Sequence, residues 1–257
     1  MTGAALLPGT PRALRAVIAD GTWTGPTAGI LDGHQQANLV VVPATAAAEF
    51  AEYCAANPSV CPLLARSEPG DPHLTYRGCT VDVRTELPRY RIWRDAELIG
   101  EPLDLTAWWP GDAVAFALGC SHTLDGPLRR AGIPVAATAP PVYVTALETA
   151  GATRFTGPVA VSMRPVDAAL VDAAVRLTAA LPTGHGAPVH VGDPGALGIA
   201  DLARPEYGVF PGIRDGQVPV YWNCGVTPQL ALAKAGLPYA ATHYPGHMLV
   251  FDAEVAP

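Results

Sequence analysis

Apolar residues along this chain come mostly in short runs cut by glycine and proline, so its elements should be short and its loops many. Asn38-Leu39-Val40-Val41-Val42-Pro43 is a continuous apolar run stopped by proline, which predicts a buried strand. Thr45–Ala56 follows with Phe50, Tyr53 and Cys54 on one helical face, and predicts a helix with Thr45 as its N-cap. Asn57-Pro58 ends that helix, and Cys61–Leu64 reads as a packed turn. Ala4–Ala19, rich in Ala, Leu and Arg, predicts an N-terminal helix. Between Thr80 and Leu105 the pattern changes to alternating, charged and β-branched residues around Val81, Val83, Tyr90, Ile92 and Trp93. That predicts a smaller β-rich section around residues 80–105. Asp112–Leu118 fits a buried helix or a buried strand. Beyond it, strands at Pro158–Met163, Val189–Val191, Pro219–Trp222 and Met248–Phe251 alternate with helices at Asp167–Ala180 and Leu230–Ala235. This alternation predicts an α/β fold, a mixed sheet flanked by helices, in a single domain over residues 1–257.

Composition narrows the function more than the fold. With 49% hydrophobic and 15% charged residues the chain should bury a core rather than stay disordered. A net charge of −7 offers no basic face, so nucleic acid is not an expected partner. No apolar run reaches the length of a bilayer span, and residues 1–19 lack the pattern of a secretory signal, so no membrane is expected. Five cysteines, an odd count without small-scaffold spacing, suit a reducing compartment and a cytoplasmic location. No P-loop, GxGxxG, GxSxG or CxxC appears, so no cofactor is expected. The expected partner is a small-molecule substrate, and a homo-oligomer is compatible with all of this.

Candidate chemistry concentrates in loops at the ends of apolar runs, where α/β sheets build their binding crevices. Four of the seven histidines fall in two such loops, His185 and His190 in His185–Pro194, and His243 and His247 in Thr242–Met248. Imidazoles titrate near neutral pH, so these are candidate acids and bases, with Asp193 orienting one of them. Their packing alternative is a histidine that caps a turn or strand end. Cys120 and Ser121 follow Gly119; Cys120 is either a candidate nucleophile or a small buried apolar residue, and the backbone amides there are candidate oxyanion donors. Arg164 is the candidate fork for a substrate carboxylate, with Arg84 second; the alternative for each is an ion pair with an acidic neighbour. Gln36 and Asn38 at one loop, and Thr227 and Gln229 at another, are candidate substrate contacts. The histidines match no fixed metal-site spacing and HExxH is absent, so no metal is expected. A metal-dependent hydrolase and a non-catalytic small-acid binding protein are the alternatives to a metal-free enzyme.

Several blocks carry a family resemblance. They are Gln36–Pro43, Asn57-Pro58 with Cys61–Leu64, Asp82–Tyr90, Gly119-Cys120-Ser121, Val161–Pro165, His185–Pro194, Cys224–Gln229 and His243–Met248. In this order, over nearly the whole chain, they resemble the hydro-lyase family related to the D-glutamate cyclase domain. The resemblance implies a bacterial carbon–oxygen lyase acting on a small amino or hydroxy acid. The activity of the animal relatives is cyclisation of D-glutamate to 5-oxo-D-proline and water. Two stretches depart from the family pattern. After Gly119-Cys120-Ser121 the family has an aromatic-rich run ending in Glu, where this chain has His122-Thr123-Leu124-Asp125. Where the family has Met-Tyr-Arg-Thr-Asn, this chain has Val142-Tyr143-Val144-Thr145-Ala146. Loss of that arginine would remove a charge-assisted contact worth about 1.5–3 kcal/mol, so a substrate other than D-glutamate is expected, with a single carboxylate left to Arg164 and Arg84.

Overall fold

The apolar run near residue 40 becomes a strand because both of its faces are covered. The computed structural model describes residues 8–151 and 154–255. In chain order the elements are α1 (Pro11–Ala19), β1 (His34–Pro43), α2 (Ala44–Ala56), β2 (Leu63–Arg66), β3 (His73–Tyr76) and β4 (Cys79–Asp82). Then come β5 (Tyr90–Arg94), β6 (Glu97–Gly100), β7 (Ala113–Gly119), α3 (Asp125–Arg130), β8 (Val142–Glu148) and β9 (Pro158–Asp167). The last are α4 (Val171–Ala179), β10 (His190–Val191), β11 (Gln217–Asn223), α5 (Thr227–Ala235), β12 (Ala240–His243) and β13 (Leu249–Glu254). The first residues of the expected N-terminal helix, 4–7, lie outside the described residues; the helix begins at Pro11, where Thr10 accepts the Ala13 N–H.

A large sheet runs β2-β7-β1-β12-β5-β6, with β13 also paired to β1; a second sheet runs β10-β11-β9-β8, and β3-β4 form a separate hairpin. The α/β class holds, and the strand pairings described are all antiparallel. The β-rich section splits: β4 stays in the small hairpin, whereas β5 and β6 join the large sheet through β12, with Ala241 opposite Ile92.

One open alternative is resolved here and two sequence expectations change. Asp112–Leu118 resolves as β7, whose apolar continuity comes from burial on both sides: Val114, Phe116 and Leu118 face one core, Ala113, Ala115 and Ala117 another. Cys61–Leu64 is not a turn alone, because Leu63 opens β2 on the edge of the large sheet against β7. Thr45 is not an N-cap: Pro43 holds that position in extended backbone without a side-chain cap, and the Ala44 N–H goes to Asp112.

The two sheets meet across a core in which Val40, Val42 and Phe116 pack against Val161, Met163 and Tyr221, with Phe50 and Tyr53 of α2 closing one side. Along β9 the side chains alternate. Val159, Val161 and Met163 enter that core, while Val166 enters another with Leu124, Leu128, Ala174 and Trp222. Ser162 and Arg164 share the parity of Val166, so two polar residues are carried into a buried layer by register alone.

Strand β1 changes partner part-way. Its later residues pair with β12 (Val40 with Thr242, Val41 with Ala241), its earlier ones with β13 (Gln36 with Val250, Ala37 with Leu249). The large sheet therefore forks at Asn38 and Leu39, and the β12–β13 loop leaves at that fork. Gly119 ends β7 beside it, and the turn at Thr183 lies so close that a β-carbon on Gly119 would sit 2.0 Å from the Thr183 carbonyl oxygen. Gly119→Ala is expected to destabilise the fold by about 2–4 kcal/mol, since backbone rather than a side chain must move. Gly111→Ala, with open space around it, should be close to neutral. Equal denaturation midpoints for the two variants would contradict this packing.

Candidate active site

The fork opens onto a cavity of about 180 Å³ lined by both sheets and the loops between them. Asn38, Cys120, Ser121, His122 and His243 come from the large sheet and the turn after β7. Val142 and Ser162 come from the second sheet, Tyr207, Cys224 and Val226 from loops beside it, and Tyr244–Gly246 with Met248 from the β12–β13 loop. A cavity of this size suits a small metabolite.

One wall is a buried polar network. Arg164 donates from Nε to Asp125 Oδ1 at 2.7 Å, from Nη1 to Ser162 Oγ at 3.2 Å and from Nη2 to the Ser121 carbonyl at 3.0 Å. Its guanidinium also lies 5.4 Å from the Trp222 ring centre. The second oxygen of Asp125 takes His122 Nδ1 at 3.3 Å. Burial alone would push the Asp125 carboxyl up, but Arg164 and the His122 hydrogen bond outweigh it and hold the carboxyl below its ordinary range. An ionised carboxylate only accepts, so the His122 Nδ1 carries the proton of this bond, and the imidazole is part of the cavity lining. Ser162 in turn donates to Ser121 Oγ at 3.0 Å, which leaves the Ser121 hydroxyl proton free to point into the cavity. This gives a relay of donors, Arg164 to Ser162 to Ser121, ending at the ligand space.

His243 plugs the fork. Its Nδ1 lies 3.2 Å from the Leu39 N–H and 3.3 Å from the Leu39 carbonyl, replacing the strand partner that β1 lacks there. The Gln229 amide sits behind it, 3.4 Å from Nε2. Burial lowers the His243 pKa to about 4, with Arg91 close by adding to the effect, so the ring is neutral at physiological pH. Asn38 donates to the Gly119 carbonyl at 2.6 Å, and Gly225 is packed against its amide.

The structure thus brings Cys120, Ser121, Asn38 and His243 to one cavity, with Gln229 in the layer behind, and leaves other expected residues outside it. His185 is buried behind the wall with Nδ1 on the Ser59 carbonyl at 2.9 Å, and burial lowers its pKa to about 4. His190 sits on the edge strand β10 against Tyr221, its Nε2 on the Asp193 carbonyl. The Asp193 carboxylate caps the Gly195 N–H instead of orienting an imidazole. His247 turns away edge-on to Tyr244, with Nδ1 on the Pro245 carbonyl. Gln36 ties down the preceding turn through the Thr27 and Ile30 carbonyls, and Thr227 binds the Ala160 backbone. Arg84 pairs with its neighbour Asp82, and Arg164 is consumed by Asp125, so neither has its fork turned to the cavity. Val144 also misses this cavity and lines a shallower hollow with Tyr143, Asp201, Arg204 and Glu206.

Sequence reading did not single out His122, Asp125, Ser162 or Tyr207. The signal available for the first two was the spacing of three between a histidine and an acid right after a buried strand, which a helical turn converts into contact. Ser162 and Arg164 two apart on one strand face was the second.

The D-glutamate cyclase family model matches residues 114–252, which contain all but the first residue of β7, the His122–Asp125 turn, β9 and the β12–β13 loop. A Bordetella pertussis protein named as a putative hydro-lyase is 47% identical over 250 residues, covering 96% of this chain and 90% of its own. The chain belongs to the D-glutamate cyclase family. Similarly named proteins of a Jannaschia species (47% identity, 93% of this chain and 92% of the relative) and Corynebacterium urealyticum (48%, 95% and 94%) match end to end in the same way. A nitrogen repressor-like protein from Methanococcus jannaschii superposes with a TM-score of 0.40 at 12% identity over 90% of each chain, too loose a match to build on. Among the described residues no helix is long and apolar enough to cross a membrane.

Two measurements test this arrangement. Burial pushes the Cys120 thiol up to about 12, so it stays protonated and is a poor nucleophile. Cys120→Ser is therefore expected to keep any turnover within about tenfold of the parent, against losses of 10²–10⁴ for an acid–base group; complete loss with an intact fold would make the thiol essential. The second concerns pH. His185 and His243 have folded pKa values near 4, below the ordinary 6.5, so unfolding takes up protons between these limits. Each ring stabilises the fold fully above pH 6.5, by on the order of 3 kcal/mol, and loses this as pH falls through 4. His185→Gln should flatten the pH dependence of denaturation between 6.5 and 4 by about one proton; an unchanged slope would refute its neutral burial.

Proposed function

We propose that this protein is a metal-free carbon–oxygen lyase that removes water from a small amino or hydroxy acid, lactam-forming cyclisation included. The observation that carries the reading is the His122–Asp125 pair, whose imidazole lines the cavity while Arg164 keeps the carboxylate ionised. In a dehydration His122 Nε2 takes a proton from the substrate carbon, the electron pair of that C–H bond forms the double bond as the carbon–oxygen bond breaks, and the imidazolium returns the proton to the departing hydroxyl, which leaves as water. In lactam formation the substrate ammonium gives up two protons, one to free the lone pair that attacks the carboxylate carbon and one after the ring bond forms; His122 passes both to one carboxylate oxygen, whose bond to carbon breaks as it leaves as water. Asp125 stabilises the imidazolium in between. The Ser121 hydroxyl, polarised through Ser162 and Arg164, donates to the oxygen that gains charge. His243, neutral and pinned to Leu39, shapes the pocket and gives hydrogen bonds without carrying charge.

No Lys or Arg is among the described residues that line the cavity. This favours a substrate with one carboxylate over a dicarboxylate such as D-glutamate, on different grounds from the Val144 replacement. A metal-dependent hydrolase has little to build on, because among the described residues no three His, Cys, Asp or Glu side chains converge as a ligand set.

The direct test is incubation with D-glutamate and a panel of small amino and hydroxy acids, with mass spectrometry for products one water lighter. His122→Asn should reduce kcat by about 10²–10⁴ with little change in KM. Asp125→Asn should do the same and in addition lower stability by about 3–5 kcal/mol, because it leaves Arg164 buried without its counter-charge. Ligand-induced thermal stabilisation with no product from any acid would instead indicate a binding protein.

A further inference from the structure

Besides Asn38 and His243, two polar clusters line the cavity. One is the His122, Ser121 and Ser162 wall. The other is at Tyr207, reached along one row of the second sheet: Ser162 pairs with Val142, and Val142 bridges to Tyr207. All three residues line the cavity, and two strand spacings place the ends of the row about 10 Å apart.

Arg91, on β5, donates from Nη1 to the Tyr207 hydroxyl oxygen at 3.2 Å. Having accepted that bond, the phenol has its own proton left to give. Its guanidinium stacks on Tyr244 at 4.9 Å and on Tyr207 at 5.4 Å, both rings being cavity wall. Arg89 stacks on Tyr244 at 4.6 Å. Arg89 and Arg91 share one acid, Glu101, at 3.2 and 3.1 Å, so one positive charge is left over behind the two tyrosines. Glu206, next to Tyr207 in sequence, turns its carboxylate the other way to accept the Val144 N–H in the neighbouring hollow.

We propose that the Tyr207 hydroxyl, polarised by Arg91, is the donor that binds the substrate carboxylate and points the rest of the acid toward His122. This rests on the reading of the substrate as a small acid, and assigns its anionic end to a place that neither Arg164 nor Arg84 serves. Tyr207 is the binding residue; Arg91 is a positioning residue that acts through it. An apolar middle, Val142 and Met248, separates the two ends and suits a short carbon chain.

The test is calorimetric titration with propanoate, 3-hydroxybutanoate and 5-oxo-D-proline, each against its neutral primary amide. The parent protein should bind the acids at least about tenfold more tightly than the amides. Tyr207→Phe should erase that preference, weakening the binding of the acids more than that of the amides. Arg91→Met should follow Tyr207→Phe, and Arg91→Lys, which restores the charge, should recover part of the preference; a merely structural arginine would shift acid and amide binding together. His122→Asn should keep the preference. The proposal is overturned if none of the acids binds, if acid and amide bind alike, if Tyr207→Phe retains the preference, or if His122→Asn abolishes it. Acid-selective binding through Tyr207 without turnover would sink the lyase reading and leave this one standing.

Discussion

The ion pair between Asp125 and Arg164 is the constraint on which the rest of the cavity depends. Both side chains are almost fully buried, so each has lost its hydration and must be repaid by geometry. The repayment is nearly complete: the guanidinium meets a carboxylate, a hydroxyl, a backbone carbonyl and an indole face, and the carboxylate meets the guanidinium and an imidazole. Such a pair does little for net stability compared with apolar packing. What it does is fix orientation, because any rotation of either member strands a charge in a low-dielectric layer. His122 and Ser121 inherit that rigidity, one through Asp125 and the other through Ser162. A catalytic group held this way needs little reorganisation when charge develops.

The second organising feature is topological. An antiparallel strand that trades one partner for another leaves backbone groups unpaired at the changeover, and buried unpaired groups are costly. Strand β1 meets this at Leu39 by using a side chain, His243, as a substitute for the missing strand. The substitution has two consequences. The loop after His243 is free to fold over the cavity instead of continuing the sheet. The imidazole is also desolvated, which explains why a histidine so close to the ligand space is held neutral.

The two features divide labour between the sheets. The large sheet supplies the fork and the β7 turn, and the second sheet supplies the Ser162–Val142–Tyr207 row facing them. Membership in the D-glutamate cyclase family fits this architecture, since the matched residues 114–252 include the turn, the row's strands and the fork loop. Asp125 sits inside the network, where it reaches both Arg164 and His122. Val144 sits outside it, in the neighbouring hollow.

Much of the fold was legible in the sequence, because apolar runs, prolines and turn residues act locally. The β1 core, the helix over residues 45–56, the strands at 158–163 and 219–222 and the α/β class follow from patterns a few residues long. The same local signals show that a loop such as Gly119–His122 carries functional groups, and that Cys120, Ser121, Asn38 and His243 are residues of interest. They leave open whether Asp112–Leu118 is helix or strand, since burial on both faces erases the alternation that would tell them apart. Local signals also cannot say which polar groups meet. The loop richest in histidine and acid, His185–Asp193, has its polar groups absorbed by backbone at Ser59, Asp193 and Gly195, while Arg164 is spent on an acid 39 residues earlier. Whether a side chain is a ligand contact or a structural partner depends on what faces it across a gap, and that is set by strand register and by the need to satisfy every buried charge. Only the tertiary structure decides it.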